Sequence, residues 1–243
     1  MSAAAPTPEP LLDVQQLSKR FGGVVASAGV DLRVHAGEVH ALIGPNGAGK
    51  TTLVAQLAGQ VRPDRGRIVF AGHDITRFSP HERARRGLAR SFQITRLFRS
   101  FDVAGNVALA LQAAGSFASP GMTADELLAE IGLADRAGAG IAALSHGEQR
   151  ALEVGLAIAS RPRLVMLDEP MAGMGHDESR RMEALIQRLR ARTTVLLIEH
   201  DVDAVFRLAD RVSVLVSGQI ICSGAPDAVR RDSGVIDAYL GEE

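Results

Sequence analysis

The residues with the clearest chemical use are "GPNGAGKT", Gly44 to Thr51, which follow the apolar stretch "HALI" and open the helical pattern "KTTLVAQLAG". Glycines at the first and sixth places, ahead of a lysine and a threonine, let the backbone curl until several N–H groups converge on phosphate oxygens. The helix that follows turns its positive end to the same anion. Asn46, Gly47, Ala48, Gly49, Lys50, Thr51 and Thr52 are the candidate nucleotide-binding residues. Lys50 would pair with the β and γ phosphates, and Thr51 would offer its hydroxyl to Mg²⁺, a hard cation that takes oxygen ligands. Lys50 is one of only two lysines in a chain whose positive charge is otherwise arginine, so its place inside a glycine-rich loop calls for a reason.

Two strand ends could supply the rest of a phosphoryl-transfer site. "RLVMLDEP" carries four apolar residues and then Asp168 and Glu169, where a buried strand leaves its sheet; ligands of open α/β sheets collect at such carboxyl ends. Asp168 would hold Mg²⁺ through its water shell and Glu169 would polarise the attacking water. "VLLIEHD" is a second buried strand ending in His200, which can reach the γ-phosphate and align Glu169 with the water if the two strands lie beside the loop. Gln93, in "RSFQIT", is in a similar position and could sense the metal. A guanine-reading Asn-Lys-x-Asp stretch is absent, because neither Asn46 nor Asn106 precedes a lysine, so ATP is the expected nucleotide.

These residues need a sheet to position them. "LLDVQQL", "VDLRV" and "EVHALI" are short and rich in Val and Leu, suggesting a small N-terminal β layer. "GRIVFAG", "LARSF", "RLVMLDE", "TTVLLIE" and "RVSVLVSGQIICSG" read as further strands with helical stretches between most of them, an alternation that implies a parallel sheet. The runs "LVML" and "VLLI" are apolar throughout, as in central strands covered on both faces. From Phe92 to Leu144 the composition turns alanine-rich and helical, with a capping box at Thr123 and Glu126, and reads as a helical lobe inserted into the α/β body.

The chain has 243 residues, 46% hydrophobic, and a formal net charge of -1, so it lacks the overall basic footprint of a nucleic-acid binder. The local exception, "HERARRGLAR" with Arg83, Arg85, Arg86 and Arg90, is read as a solvated helix face. No apolar run reaches the ~20 residues of a membrane span, "MSAAAPTPEP" has no signal-peptide pattern, and the single Cys222 cannot form an internal disulfide. A cytoplasmic chain with a disordered tail over residues 1–10 is expected.

"LSHGEQRALE" completes the set. Ser145 and Glu148 form S-x-x-E, which a helix cap explains by itself. Together with the loop, the acidic strand end and the strand-terminal histidine, however, the motifs resemble those of the ATP-binding subunits of ABC transporters. The phosphate loop then lies at Gly44–Thr51, the Q-loop at Gln93, the signature at Leu144–Glu148, Walker B at Leu164–Glu169 and the switch histidine at His200. The resemblance covers the chain from about residue 11 and implies one P-loop domain over 11–243 with a helical subdomain at about 94–160. It implies that Phe21 stacks on adenine, that Thr51, Gln93 and Asp168 attend Mg²⁺, and that Glu169, His200 and Gln93 serve hydrolysis. It also implies that Ser145 and Gly147 cover the γ-phosphate held by a facing subunit, identical or paralogous, so that two chains close head-to-tail on two ATP.

Three departures stand out: "LSHGE" replaces the usual "LSGGQ" at His146 and Glu148, and Gly175 in "MAGMGHDE" stands where many relatives have aspartate. A carboxylate ~4 Å from a phosphate charge would be repelled by about 4 kcal/mol, so Glu148 is expected to turn away and cap Ser145, and His146 needs an unstrained backbone. Within the family, "SFQITRLF", "DEPMAGM" and the terminal "AYLGEE" are most similar to subunits of importers of branched-chain amino acids and related amides or carboxylates. Lipopolysaccharide exporter ATPases share the "YLGE" ending, and a soluble ABC ATPase is a further alternative. The resemblance implies a place on the inner face of the plasma membrane, an indirect periplasmic binding protein, and permease docking at Arg96, Leu97, Phe98 and Phe101, whose competing explanation is core packing of the lobe.

Overall fold

The computed structural model describes residues 9–91, 97–115 and 122–240. The expected tail falls mostly outside them, as do Gln93 and Arg96. Strands β1 (Leu12–Phe21), β2 (Val24–Val34), β4 (Arg65–Phe70) and β5 (His73–Asp74) form an antiparallel sheet in the order β2-β1-β4-β5. Strands β3 (Val39–Ile43), β6 (Leu88–Arg90), β7 (Leu164–Asp168), β8 (Thr194–Ile198), β9 (Arg211–Val216) and β10 (Gln219–Gly224) form a second sheet in the order β10-β9-β3-β8-β7-β6. Its five strands from β9 to β6 run parallel. Helices are α1 (Lys50–Leu57), α2 (Pro80–Arg85), α3 (Val103–Ala114), α4 (Ala124–Ile131), α5 (His146–Ile158), α6 (His176–Arg190), α7 (Val202–Leu208), α8 (Pro226–Val229) and α9 (Ser233–Leu240). None of the described helices is long and apolar enough to cross a membrane.

Two assignments differ from the sequence expectation. "GRIVFAG" is β4, which pairs antiparallel with β1 in the smaller sheet, and "RVSVLVSGQIICSG" is the hairpin of β9 and β10, turned by Ser217–Gly218. Both fit the pattern reading of a strand, since apolar content alone does not say which neighbour the strand will find.

The all-apolar runs follow from two-sided burial. Val165 and Leu167 of β7 and Val195 and Leu197 of β8 join one core with α3, α4, α5 and α6. Leu164, Met166, Leu196 and Ile198 point the other way, into a core that α1 shares with the antiparallel sheet through Leu53, Val54 and Leu57. The helices α3 to α5 therefore pack on the sheet's own core. Asp102, Thr123 and Ser145 cap α3, α4 and α5, the last two with complete capping boxes.

Arg83 and Arg90 do not lie on a solvated face. Arg83 is fully buried: its Nη1 donates to the carbonyls of Gln56 (2.8 Å) and Leu57 (2.6 Å) at the end of α1, Nη2 to Thr76 O and Nε to Phe78 O. Burial pushes its pKa down to about 10, which leaves it charged at neutral pH. Its donors satisfy carbonyls that a helix end leaves open. Arg83→Met should leave them dry and unpaired and cost about 3 kcal/mol, read as a fall in Tm of roughly 10 °C; an unchanged melting curve would contradict this role.

Candidate functional site

Four neighbouring parallel strands deliver the predicted chemistry to one end of the sheet. β3 leads into Gly44–Thr51, β8 beside it leads to His200, β7 ends in Asp168 and Glu169, and β6 carries Arg90 next to them, while Gln93 lies outside the described residues. The register sets Leu42 and Asp168 on either side of Ile198, so the loop and the acidic pair flank the strand that carries the histidine.

The loop is built around its glycines. Gly49 has φ +103, and a Cβ there would fall 2.2 Å from Ala26 O on β2; at Gly44 one would fall 2.0 Å from Leu215 O. Only glycine permits this approach. Asn46 and Gly47 form an exposed turn, Ala48 is buried, and Ala48 O accepts from Gly218 N at 2.8 Å. Gly49 caps α1 without a side-chain acceptor for the first-turn N–H groups, the condition in which a helix start receives an anion. The Lys50 ammonium lies inside the loop, donating to Gly44 O (2.5 Å) and Pro45 O (2.9 Å), and Thr51 is exposed next to it. Phe21 ends β1 with half its surface exposed and Lys19 Nζ 5.3 Å from its ring centroid. Its strand pairs with β2, the strand that touches Gly49.

Glu169 Oε1 lies 2.5 Å from His200 Nε2, so the two predicted catalytic side chains meet directly. Glu169 has φ +50, unusual for a residue with a Cβ, and its N–H donates to Ile198 O. Asp168 is buried and ion-paired with Arg90 Nη2 at 2.7 Å, and its N–H donates to Ser91 Oγ at 3.3 Å. A buried carboxylate at one strand end and a threonine hydroxyl at the start of α1 are hard oxygen donors that suit Mg²⁺ once phosphate oxygens and waters complete the shell.

Two residues that hold this arrangement together were not read from the sequence. Glu199, buried between the apolar run and His200, accepts from Met171 N (2.9 Å) and His200 N (3.1 Å). It therefore ties the segment after Glu169 to the segment that carries the histidine. Burial, with the charge of Glu169 added, raises its pKa. An acid closing a run buried on both faces was the available signal. Arg90 was misread, because its partner Asp168 is 78 residues away.

Ser145 and Gly147 stand apart from the loop. They line a cavity of about 250 Å³ with Glu148, Glu178, Arg181 and Met182, and no residue of Gly44–Thr52 borders it. Glu148 turns away from the helix mouth: its carboxylate accepts from Ser145 N at 2.7 Å and pairs with Arg136 at 3.1 Å. His146 begins α5 without a positive φ and its Nε2 lies 3.1 Å from Ala172 O. One chain thus carries a phosphate cradle and, elsewhere, a second helix mouth, α5, that no cradle residue borders.

Residues 28–172 match the ABC transporter family. The chain belongs to the ABC transporter ATP-binding family. Residues 219–243 match a further family, the branched-chain amino acid ATP-binding cassette transporter. This ABC ATPase is 38% identical to the high-affinity branched-chain amino acid transport ATP-binding protein BraF of Pseudomonas aeruginosa, over 96% of the chain and 98% of that protein. It is 37% identical to the lipopolysaccharide export system ATP-binding protein LptB of Acidithiobacillus ferridurans, over 96% of the chain and 98% of that protein. A crystal structure of an ABC transporter ATP-binding cassette in its ADP conformation superposes with a TM-score of 0.86 at 29% identity, covering 96% of the chain and 99% of that cassette. The ABC ATPase binds nucleotide and hydrolyses ATP as the energy-supplying subunit of a membrane transporter.

Among the docking candidates, Leu97 is buried and packs in the core beside α3, as the core-packing alternative required. Phe98 and Phe101 are exposed, edge to face with centroids 6.2 Å apart. Phe98 also helps to line a mostly apolar cavity of about 590 Å³ bordered by α2, α3, α5 and β6.

Proposed function

We propose that this ABC ATPase powers an importer of branched-chain amino acids or closely related amides and carboxylates, working on the inner face of the plasma membrane with permease subunits and a periplasmic binding protein. The observation that carries this reading is the match of residues 219–243 to the branched-chain family, because overall identity to an import and an export ATPase is nearly equal.

In this reading ATP lies along the loop, with adenine on Phe21 and the triphosphate over Asn46, Gly47, Ala48, Gly49, Lys50, Thr51 and Thr52. Thr51, Asp168 and Gln93 would hold Mg²⁺, which would supply charge compensation for phosphoryl transfer. Glu169 takes the proton of the attacking water and His200 keeps its carboxylate in line. Ser145 and Gly147 of a facing copy, or of a paralogue, complete each site, so pairing and hydrolysis are linked. The exposed Phe98 and Phe101 and the apolar cavity that Phe98 lines receive a permease helix, Arg96 being a further candidate by sequence alone; Leu97 supports that surface from within the core.

Uptake of labelled leucine in cells lacking this chain is the test. Restoring the wild-type chain should restore uptake, whereas Phe98→Asp with Phe101→Asp should leave uptake at background, about tenfold lower or more, while ATP binding persists. Normal leucine uptake without the chain would reject the substrate class, and full rescue by the double variant would reject the docking surface.

A further inference from the structure

The mouth of α5 is already filled by a carboxylate from elsewhere in the chain. Glu178 Oε1 accepts from Ser145 Oγ at 2.8 Å and from Gly147 N at 3.0 Å, two donors 33 and 31 residues earlier. A Cβ on Gly147 would lie 2.9 Å from the Glu178 carboxyl carbon, so any other residue there would push that carboxylate aside. Glu178 also takes a hydrogen bond from Gly175 N, and its carboxyl is held below the usual range, first by Ser145 and then by the Gly147 and Gly175 amides. The carboxylate therefore sits where the N-terminal ends of two long helices, α5 and α6, converge, each of which favours an anion. Glu148 is engaged with Ser145 N and Arg136, as its expected capping role requires.

Ser145 and Gly147 are the groups that, on the reading given under Proposed function, cover the γ-phosphate of the facing copy. We propose that Glu178 is an internal stand-in for that phosphate: it occupies the Ser145–Gly147 donors in the separate chain and must leave them before ATP can close two copies together. Two anions cannot share one pair of donors, so each ATP-driven closure displaces this carboxylate. It has somewhere to go. The adjoining cavity of about 250 Å³ is also lined by Arg181, three residues further along α6, a spacing that lets the displaced Glu178 pair with it. The separate state is thus kept satisfied, and closure is reserved for a ligand that outcompetes a carboxylate, namely a terminal phosphoryl group.

The test compares Glu178→Gln and Glu178→Ala with the parent, all carrying Glu169→Gln to prevent turnover, by sedimentation of the full chain in saturating ATP across a range of protein concentration. Removing the competing charge should lower the dimer dissociation constant about tenfold in the glutamine variant, equivalent to about 1.4 kcal/mol, with binding of a fluorescent ATP analogue to the separate chain unchanged. An unchanged or weaker dimer in both variants would overturn the stand-in and make Glu178 a prop for Ser145. Ser145→Arg run alongside separates the two layers. If it fails to block pairing, the head-to-tail reading falls and the stand-in with it; if it blocks pairing while Glu178→Gln does not tighten it, only the stand-in falls.

Discussion

Glu169→Gln is expected to lower ATP turnover by about a thousandfold while the chain still binds ATP and accumulates as a dimer. Glutamine preserves the shape of the side chain and can still meet His200, which lies 2.5 Å from the native carboxylate. What it removes is the ability to take a proton from water as the phosphoryl group departs. Loop, lysine and strand ends are untouched, so nucleotide affinity should survive. Phosphate release measured beside sedimentation in ATP checks both halves. Turnover within tenfold of the parent would move the base elsewhere, with His200 the first residue to examine.

Lys50→Ala and Ser145→Arg should each abolish activity, and an equal mixture of the two should regain up to about a quarter of it, since half the dimers are mixed and each holds one intact site. The reason is geometric. Lys50 sits in the cradle after β3, whereas Ser145 lines a cavity that contains no cradle residue. In a mixed pair the Ser145→Arg chain supplies a sound cradle and the Lys50→Ala chain supplies a sound serine, so one complete pocket forms. A site built within one chain cannot be rescued by mixing two dead variants. ATPase assays on the mixture after co-expression give the answer, and activity staying at background would mean that pockets are not shared or that one pocket cannot turn over alone; the first alternative is isolated by whether the mixture still dimerises in ATP.

The sequence made the centre of the sheet legible because burial on both faces leaves no polar position, as in "LVML" and "VLLI", and made the phosphate loop legible because its glycines and lysine lie within eight residues. Partner choice was less legible. β4 looked like another strand of the parallel sheet, yet it pairs with β1, and nothing in six residues specifies which edge they meet. Arg83 and Arg90 looked solvated because "HERARRGLAR" reads as one short charged helix, whereas Arg90 lies on β6; their acceptors are the carbonyls ending α1 and the carboxylate ending β7. Glu178 carried a weak sign, an acid in the first turn of α6, but its contact with Ser145 crosses 33 residues and follows no helical or strand period. Local chemistry is written locally, whereas the groups that restrain it come from distant segments.

The positive φ of Glu169 sets a conflict within a single residue. Glycine would relax that backbone by about 1 kcal/mol, so selection for thermostability alone would favour erasing the carboxylate. A chain retaining glutamate there keeps a small, permanent surplus of conformational energy, and variants enriched by heat challenge without a demand for work would be expected to discard it first.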